Sequence, residues 1–321
     1  MQNQAVVLMP YFKTRSDLFE KSLQGFLKQD YQNKKLVIYV DNALDEEKDL
    51  KNILKKYNSK DIVVIGGEKH VGVAKARNCL LSYVKENQGD DDFIFQLDSD
   101  DYYIDNNVIS RTVNDIEKNV ADIAILNFEY GFYDGKTEDK GLKATRSKID
   151  FTSKKYQKAK YFNPIEDLEK LTSLGWAKVY TAKLFKKLPF VADSGKYEDF
   201  IYMALFCFDN IKVVGGGGIK SIMFNKYSSS ITSNRTEKDC EDVVERLSEF
   251  RHFYNELAEN LPNEKKIIYK TCMENFIDVK LRQYESIFKN YDNDHNTKLL
   301  SYYMNYRKNN INNIESEWYH I

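Results

Sequence analysis

The stretch Phe93-Ile94-Phe95-Gln96-Leu97-Asp98-Ser99-Asp100-Asp101 decides how this chain is read. An apolar run of strand length feeds directly into three carboxylates within four residues. Like charges this close repel one another, and a divalent cation, itself balanced by a phosphate ligand, is the usual way such a cluster is stabilised. The plain alternative is an acidic turn after a strand, because Asp is a common turn residue.

Upstream of this stretch, strand and helix patterns alternate. Ala5 to Met9 is a continuous apolar run that stops at Pro10, and Leu18, Leu23, Phe26 and Leu27 follow at helical spacing. Leu36 to Val40 repeats the strand pattern and ends at Asp41 and Asn42, after which Leu50, Ile53, Leu54 and Tyr57 mark an amphipathic helix. Ile62 to Ile65 is a third strand, Ala74 to Val84 a third helix, and Asp92 to Leu97 the fourth strand. Continuous apolar strands alternating with helices describe a buried parallel sheet. Ligands bind such sheets beyond the carboxyl ends of the strands. Pro10, Asp41, the segment Gly66 to Gly72, and Asp98 to Asp101 are therefore expected along one edge.

Downstream, Val108 to Val120 reads as a helix, Ile123 to Tyr130 as one strand, and Asp134 to Lys160 as a polar excursion. A helix from about Pro164 to Leu174, the Trp176 to Tyr180 segment and a helix around Phe200 to Phe208 lead to Ile211 to Val214 and to four glycines, Gly215 to Gly218. These glycines lack the lysine and hydroxyl spacing of a phosphate loop, so a flexible turn is expected there. From Glu237 onward long helical patterns take over. Tyr302, Tyr303, Tyr306, Trp318 and Tyr319, interleaved with Lys298, Arg307 and Lys308, suit helix packing first and a membrane interface or an acceptor second. Peripheral membrane contact and oligomerisation through these helices both stay open.

Composition narrows the partners. Of 321 residues, 42% are hydrophobic, enough for a large core. Lys plus Arg number 48 against 49 for Asp plus Glu, so no global field draws in nucleic acid or anionic membrane, and a nucleic-acid partner is disfavoured. Cys79, Cys207, Cys240 and Cys272 are widely spaced, and no basic, apolar leader opens the sequence. No apolar run approaches the ~20 residues that span a bilayer. A reduced, cytoplasmic setting is expected, with at most peripheral attachment at the inner membrane face.

Several segments, taken in order, carry a resemblance. They are Leu8-Met9-Pro10-Tyr11, Gln29-Asp30-Tyr31, Asp41, the run from His70 through Gly72 to Ala76-Arg77-Asn78, and Leu97-Asp98-Ser99-Asp100-Asp101. Trp176-Ala177-Lys178-Val179-Tyr180, Tyr197-Glu198-Asp199-Phe200 and Ser229-Ser230-Ile231-Thr232 continue it. Over about residues 5 to 235 the pattern resembles the family 2 glycosyltransferases, with the Asp98 cluster similar to their DXD motif. The resemblance implies an α/β, GT-A (Rossmann-like) fold, a mostly parallel mixed sheet flanked by helices, with a C-terminal helical appendage. Residues 1–236 would form the transferase domain, 1–105 its nucleotide-binding half and 106–236 its acceptor half, and 237–321 the helical region. Two positions depart from the family pattern: Phe12 replaces an Asn, and Asn42 replaces the second acid of an Asp-Asp pair.

The resemblance also implies roles. Asp100, with Asp98, would hold Mn²⁺ or Mg²⁺, which as a Lewis acid neutralises a leaving diphosphate. Asp98 and Ser99 would sit by the ribose or metal shell, Asp41 at the edge of the base, and Pro10 and Tyr11 by its face. Arg77 would anchor this edge, or simply tie down the acidic strand ends. Asp199, with Glu198 as the fallback, would be the base of an inverting displacement. Trp176 would offer a platform to a sugar, and Lys226 would lie in a polar segment over the diphosphate. The expected activity is transfer of a single sugar from a nucleoside-diphosphate sugar, a UDP-sugar foremost, to a hydroxyl of a glycan or lipid-linked glycan. The alternatives are a non-catalytic sugar-nucleotide or glycan-binding module on the same fold, or transfer to a non-glycan acceptor such as protein or modified nucleic acid.

Overall fold

A computed structural model of the chain describes residues 2–44, 47–133, 160–161, 177–188, 211–216, 221–227 and a set of positions, most of them helical, between 247 and 305. The chain divides into two compact units, Met1–Phe162 with Leu174–Asn234, and Asn163–Ser173 with Arg235–Ile321.

The first unit begins with four parallel strands joined by helices: β1 (Ala5–Tyr11), α1 (Ser16–Leu27), β2 (Lys34–Val40), α2 (Lys48–Tyr57), β3 (Ile62–Gly66), α3 (Val73–Asn87) and β4 (Phe93–Gln96). There follow β5 (Tyr102–Tyr103), α4 (Val108–Asn119), β6 (Ile123–Leu126), β7 (Phe128–Tyr133), β8 (Lys160–Tyr161), β9 (Lys178–Thr181), the one-turn α5 (Ala182–Phe185), β10 (Lys212–Gly216) and β11 (Ile222–Tyr227). The large sheet has the order β3-β2-β1-β4-β9-β6-β10-β8, and β5-β11-β7 form a second, small sheet. Strands β3, β2, β1 and β4 all run parallel, whereas β9 is antiparallel to both β4 and β6. This is the mixed, mostly parallel sheet of the GT-A fold.

Burial explains the alternation. Ala5 to Met9 and Leu36 to Val40 are buried without interruption because β1 and β2 are inner strands. Strand β1 pairs with β4 only as far as Leu8 against Gln96. Pro10, which has no N–H to give, lies beyond that last paired residue. In α2 the buried Leu50 and Ile53 face inward while Lys51, Lys55 and Lys56 lie on the wetter side. Helix α3 packs on β1 and β2, and α4 on β6 and β10.

Two expectations are corrected here. Ile123 to Tyr130 is not one strand: it breaks at Asn127, whose carbonyl accepts the amides of Ser221 and Ile222. Residues before the break pair with β9 and β10, and residues after it pair with β11 in the other sheet. Gly215 and Gly216 belong to β10 rather than to a turn. A Cβ at Gly216 would stand 2.8 Å from the Ala124 Cβ and 3.1 Å from the Thr112 Cγ2, so glycine here lets α4 close onto the sheet.

In the second unit the described positions from 263 to 281 are helical. Leu247, Ala258, Met273, Ile277 and Leu281 are buried, and Arg251 pairs with the buried Glu274. Among the described residues, no helix is long and apolar enough to cross a membrane.

Substituting Gly216 by Ala is expected to overpack the α4–sheet contact and destabilise the fold by about 1–3 kcal/mol. Denaturant unfolding measures this; an unchanged midpoint would show that the contact relaxes freely.

Candidate active site

The strand order reverses between β1 and β4, with β2 on the far side of β1. The loops after these strands meet at that switch point. Pro10 and Tyr11 end β1, Asp41 follows β2, Arg77 lies on α3, and Asp98, Ser99 and Asp100 follow β4. The structure therefore gathers seven of the expected site residues on one edge. At ~4.8 Å per strand, the ends of β2 and β4 are about 10 Å apart, close enough for their acids to feel one another.

Asp41, Asp98 and Asp101 are each held by a different device. Asp41 is 3% exposed. Its Oδ1 accepts the Val71 N–H at 2.5 Å, Gly72 N–H lies 3.0 Å from Oδ2, and His70 Nδ1 lies 3.0 Å from Oδ2. These amides lead into α3, so Asp41 places a negative charge at the positive end of that helix from a neighbouring loop. Gly72, the residue before α3, has φ 91°, a conformation that glycine adopts readily and other residues do not. The His70 ring also stacks on Phe12, centroids 4.2 Å apart, fastening the β1 loop to the β3–α3 loop.

Asp98 accepts from Arg77 Nη2 at 3.3 Å, so Arg77 does tie down the end of β4. The Ser99 and Thr14 hydroxyls are 2.6 Å apart, which fixes the acidic loop to the loop after β1. Asp101 turns inward instead. It is fully buried, and its Oδ1 accepts the Asn225 N–H at 2.8 Å. The Asn225 side-chain amide in turn donates to the Asp100 carbonyl. Burial pushes the Asp101 carboxyl well above the usual carboxylate range, with the charges of Asp100 and Asp98 adding to the effect. Of the three acids, Asp101 clamps β11 beneath the loop, while Asp98 and Asp100 remain at its surface.

The structure adds a residue that sequence reasoning missed. Glu47, at the start of α2, is buried, with Oε1 accepting from Asn42 Nδ2 at 2.9 Å and Oε2 lying 3.4 Å from the Tyr11 hydroxyl. A carboxylate thus stands beside Asn42, where the sequence lacks the second acid of a pair. The signal was weak: an acid five residues along, outside any motif. Burial, reinforced by the charge of Glu47, pushes the Tyr11 phenol far up, and the Tyr11 ring packs edge-on against Phe19 at 4.9 Å. A cavity of about 440 Å³ opens here, lined by Tyr11, Lys13, Thr14, Asn42, Glu47, Lys48 and Asp49.

Lys226 lies within β11, its backbone opposite Phe132, rather than in a loop. Asp199, Glu198 and Trp176 fall outside the described residues.

A model of glycosyl transferase family 2 matches residues 6–177, more than half of the chain. The chain belongs to glycosyl transferase family 2. It is 34% identical over 124 residues to the processive diacylglycerol beta-glycosyltransferase of Mycoplasma pneumoniae, covering 38% of this chain and 34% of the relative. The Mycoplasma genitalium protein of the same name is 28% identical over 121 residues, 37% of this chain and 34% of the relative. The matched stretch thus spans about a third of those relatives' length. Among solved structures, S. aureus TarS 1–349 in complex with UDP-GlcNAc superposes with TM-score 0.56 at 18% identity, covering 86% of this chain and 80% of that one. GalNAc-T7 with UDP, GalNAc and Mn²⁺ gives 0.52 at 13%, covering 84% and 54%. This family 2 chain has the GT-A fold.

Asp101→Ala is expected to strand the buried Asn225 amide and destabilise the family 2 domain by about 1–3 kcal/mol. Asp101→Asn, which keeps an acceptor without a charge to desolvate, is expected to fold at least as stably. Thermal melts of both variants check this, and equal melting of Asp101→Ala and wild type would remove the clamp.

Proposed function

We propose that this glycosyltransferase moves a single sugar from a nucleoside-diphosphate sugar, a UDP-sugar foremost, to a hydroxyl of a glycan or lipid-linked glycan, by a metal-dependent, inverting displacement. The observation that carries this is the placement of Asp98 and Asp100 at the surface of the switch-point edge, with Asp41, Arg77, Ser99 and Tyr11 around them. TarS, whose complexes contain UDP and UDP-GlcNAc, shares the fold and supports a uridine donor. The names of the two Mycoplasma relatives favour an acceptor borne on a lipid.

The donor set fits a hard divalent ion. Among the described residues no three His, Cys, Asp or Glu side chains converge as ready ligands. Mg²⁺ sites in phosphate-handling proteins, however, commonly use one or two carboxylates and complete the shell with substrate phosphate and water. Asp98 and Asp100 would supply those carboxylates. Their charges already act on buried Asp101, one oxygen of which has no hydrogen-bond partner among the described residues. Bound there, Mg²⁺ or Mn²⁺ would neutralise charge on the departing diphosphate.

The chain's own groups do the rest. Arg77 keeps Asp98 oriented, and the Thr14–Ser99 contact holds the loop in place before the donor arrives. Asp199, with Glu198 as the fallback, takes the proton of the acceptor hydroxyl. The hydroxyl oxygen bonds to the anomeric carbon from the face opposite the diphosphate, and the bond to the diphosphate breaks. Trp176 offers its face to a sugar ring. Residues 1–236 make up the transferase domain in this reading, with 237–321 an appended helical region that meets the membrane peripherally or another copy of the chain at the cytoplasmic face.

Calorimetric titration with UDP-, GDP-, CDP- and dTDP-sugars, first with Mn²⁺ and then with chelator, is expected to show one donor bound only with metal. Asp100→Asn should weaken that binding at least about tenfold, the loss of one charge-assisted contact. Binding indifferent to chelator and to this variant would remove the metal assignment, and no binding of any donor would remove the donor reading. Asp199→Asn is expected to lower kcat by about 10²-fold or more with donor affinity retained, as for a proton-transfer role. Lost donor binding with lost folding would make Asp199 structural.

A further inference from the structure

Glu47 closes one wall of the cavity of about 440 Å³, a volume typical of small-molecule sites. It is 8% exposed, and both its side-chain partners among the described residues are neutral donors: the Asn42 amide at 2.9 Å and the Tyr11 hydroxyl at 3.4 Å. The second contact is too long for a good O–H···O bond. Carboxylate oxygens offer about four acceptor positions between them, so the Oε2 side retains capacity toward the cavity. A buried anion in a cavity wall favours a ligand that brings an N–H to that point and repels one that brings a lone pair. Asp41, the sequence's candidate for reading the base, is engaged with the amides of Val71 and Gly72 and with His70.

We propose that Glu47 is a specificity-determining residue of the donor site, accepting the ring N–H of a uracil, thymine or guanine base and thereby rejecting cytosine and adenine, whose corresponding ring nitrogens are acceptors. This rests on the nucleotide-sugar reading above. Asn42 sets the polarity: its amide nitrogen donates to one oxygen of residue 47 and leaves the other atom of the head group to face the base. A Gln at position 47 would give its carbonyl oxygen to Asn42 and turn its NH₂ toward the cavity, replacing an acceptor by a donor.

The test is calorimetric binding of UDP, dTDP, GDP, CDP and ADP to the full chain with Mn²⁺, for wild type and Glu47→Gln. Wild type should bind at least one of the first three about 10–100-fold more tightly than CDP or ADP, the range for a hydrogen bond to a charged group. Glu47→Gln should move the ratio to CDP by at least about tenfold in favour of CDP, a change of ranking that general loosening of the site does not produce. A folded Glu47→Gln protein with the wild-type ranking overturns the role of Glu47 while leaving the transferase reading intact. Wild-type protein that binds none of the five overturns both. Should the variant fail to fold, wild type is titrated with the diphosphate of its preferred base methylated at that ring nitrogen. A loss of at least about tenfold supports the assignment, and unchanged affinity overturns it.

Discussion

Like-charge repulsion at one edge of a parallel sheet is the constraint to which the rest of this structure answers. Asp41, Asp98, Asp100 and Asp101 all emerge where β2 and β4 end. Left in water they would splay apart, and buried without partners they would oppose folding. Three of them are visibly restrained: Asp41 by the amides before α3, Asp98 by Arg77 on α3, and Asp101 by the Asn225 amide of β11. Helix α3 serves two of these acids, through its amino end and through a cationic side chain one turn along. The small sheet, which looks peripheral, serves the third.

The same arrangement ties the loops of this edge to one another. Thr14 holds Ser99, Phe12 stacks on His70, and Asn225 reaches both Asp101 and the Asp100 carbonyl. Loops from β1, β2, β3 and β4 are thereby laced together by side chains whose own positions are set by buried strands. Preorganisation of this kind suits a reaction in which charge moves onto a departing diphosphate, because the surrounding dipoles need not reorganise during the step.

Much of this was legible in the sequence. The first four strands announced themselves as continuous apolar runs, and the residues just past them named the edge where the acids gather. The misses have local causes. Asn127 divides two strands that read as one because both halves are apolar and only the pairing partners differ. Gly215 and Gly216 read as a turn because a close helix–sheet approach leaves the same sequence mark as flexibility. Asp101 was grouped with its neighbours, since adjacency in sequence does not reveal that one of three acids points into the core. Glu47 went unnoticed because its partner Tyr11 is 36 residues away.

Family 2 membership and the GT-A fold are consistent with the proposed sugar transfer, and the acidic edge is where the proposal places it. Glu47, at the start of α2, sets a carboxylate beside Asn42, the position that departs from the family pattern. The most direct test of this arrangement is a crystal structure of the chain with its preferred nucleotide sugar and Mn²⁺. The expected result is a diphosphate at the β1–β4 switch point, its metal held by Asp100, with Asp101 still accepting from the Asn225 amide. A diphosphate bound elsewhere, or a metal site that draws Asp101 away from Asn225 and leaves Asp100 without contact, would contradict it.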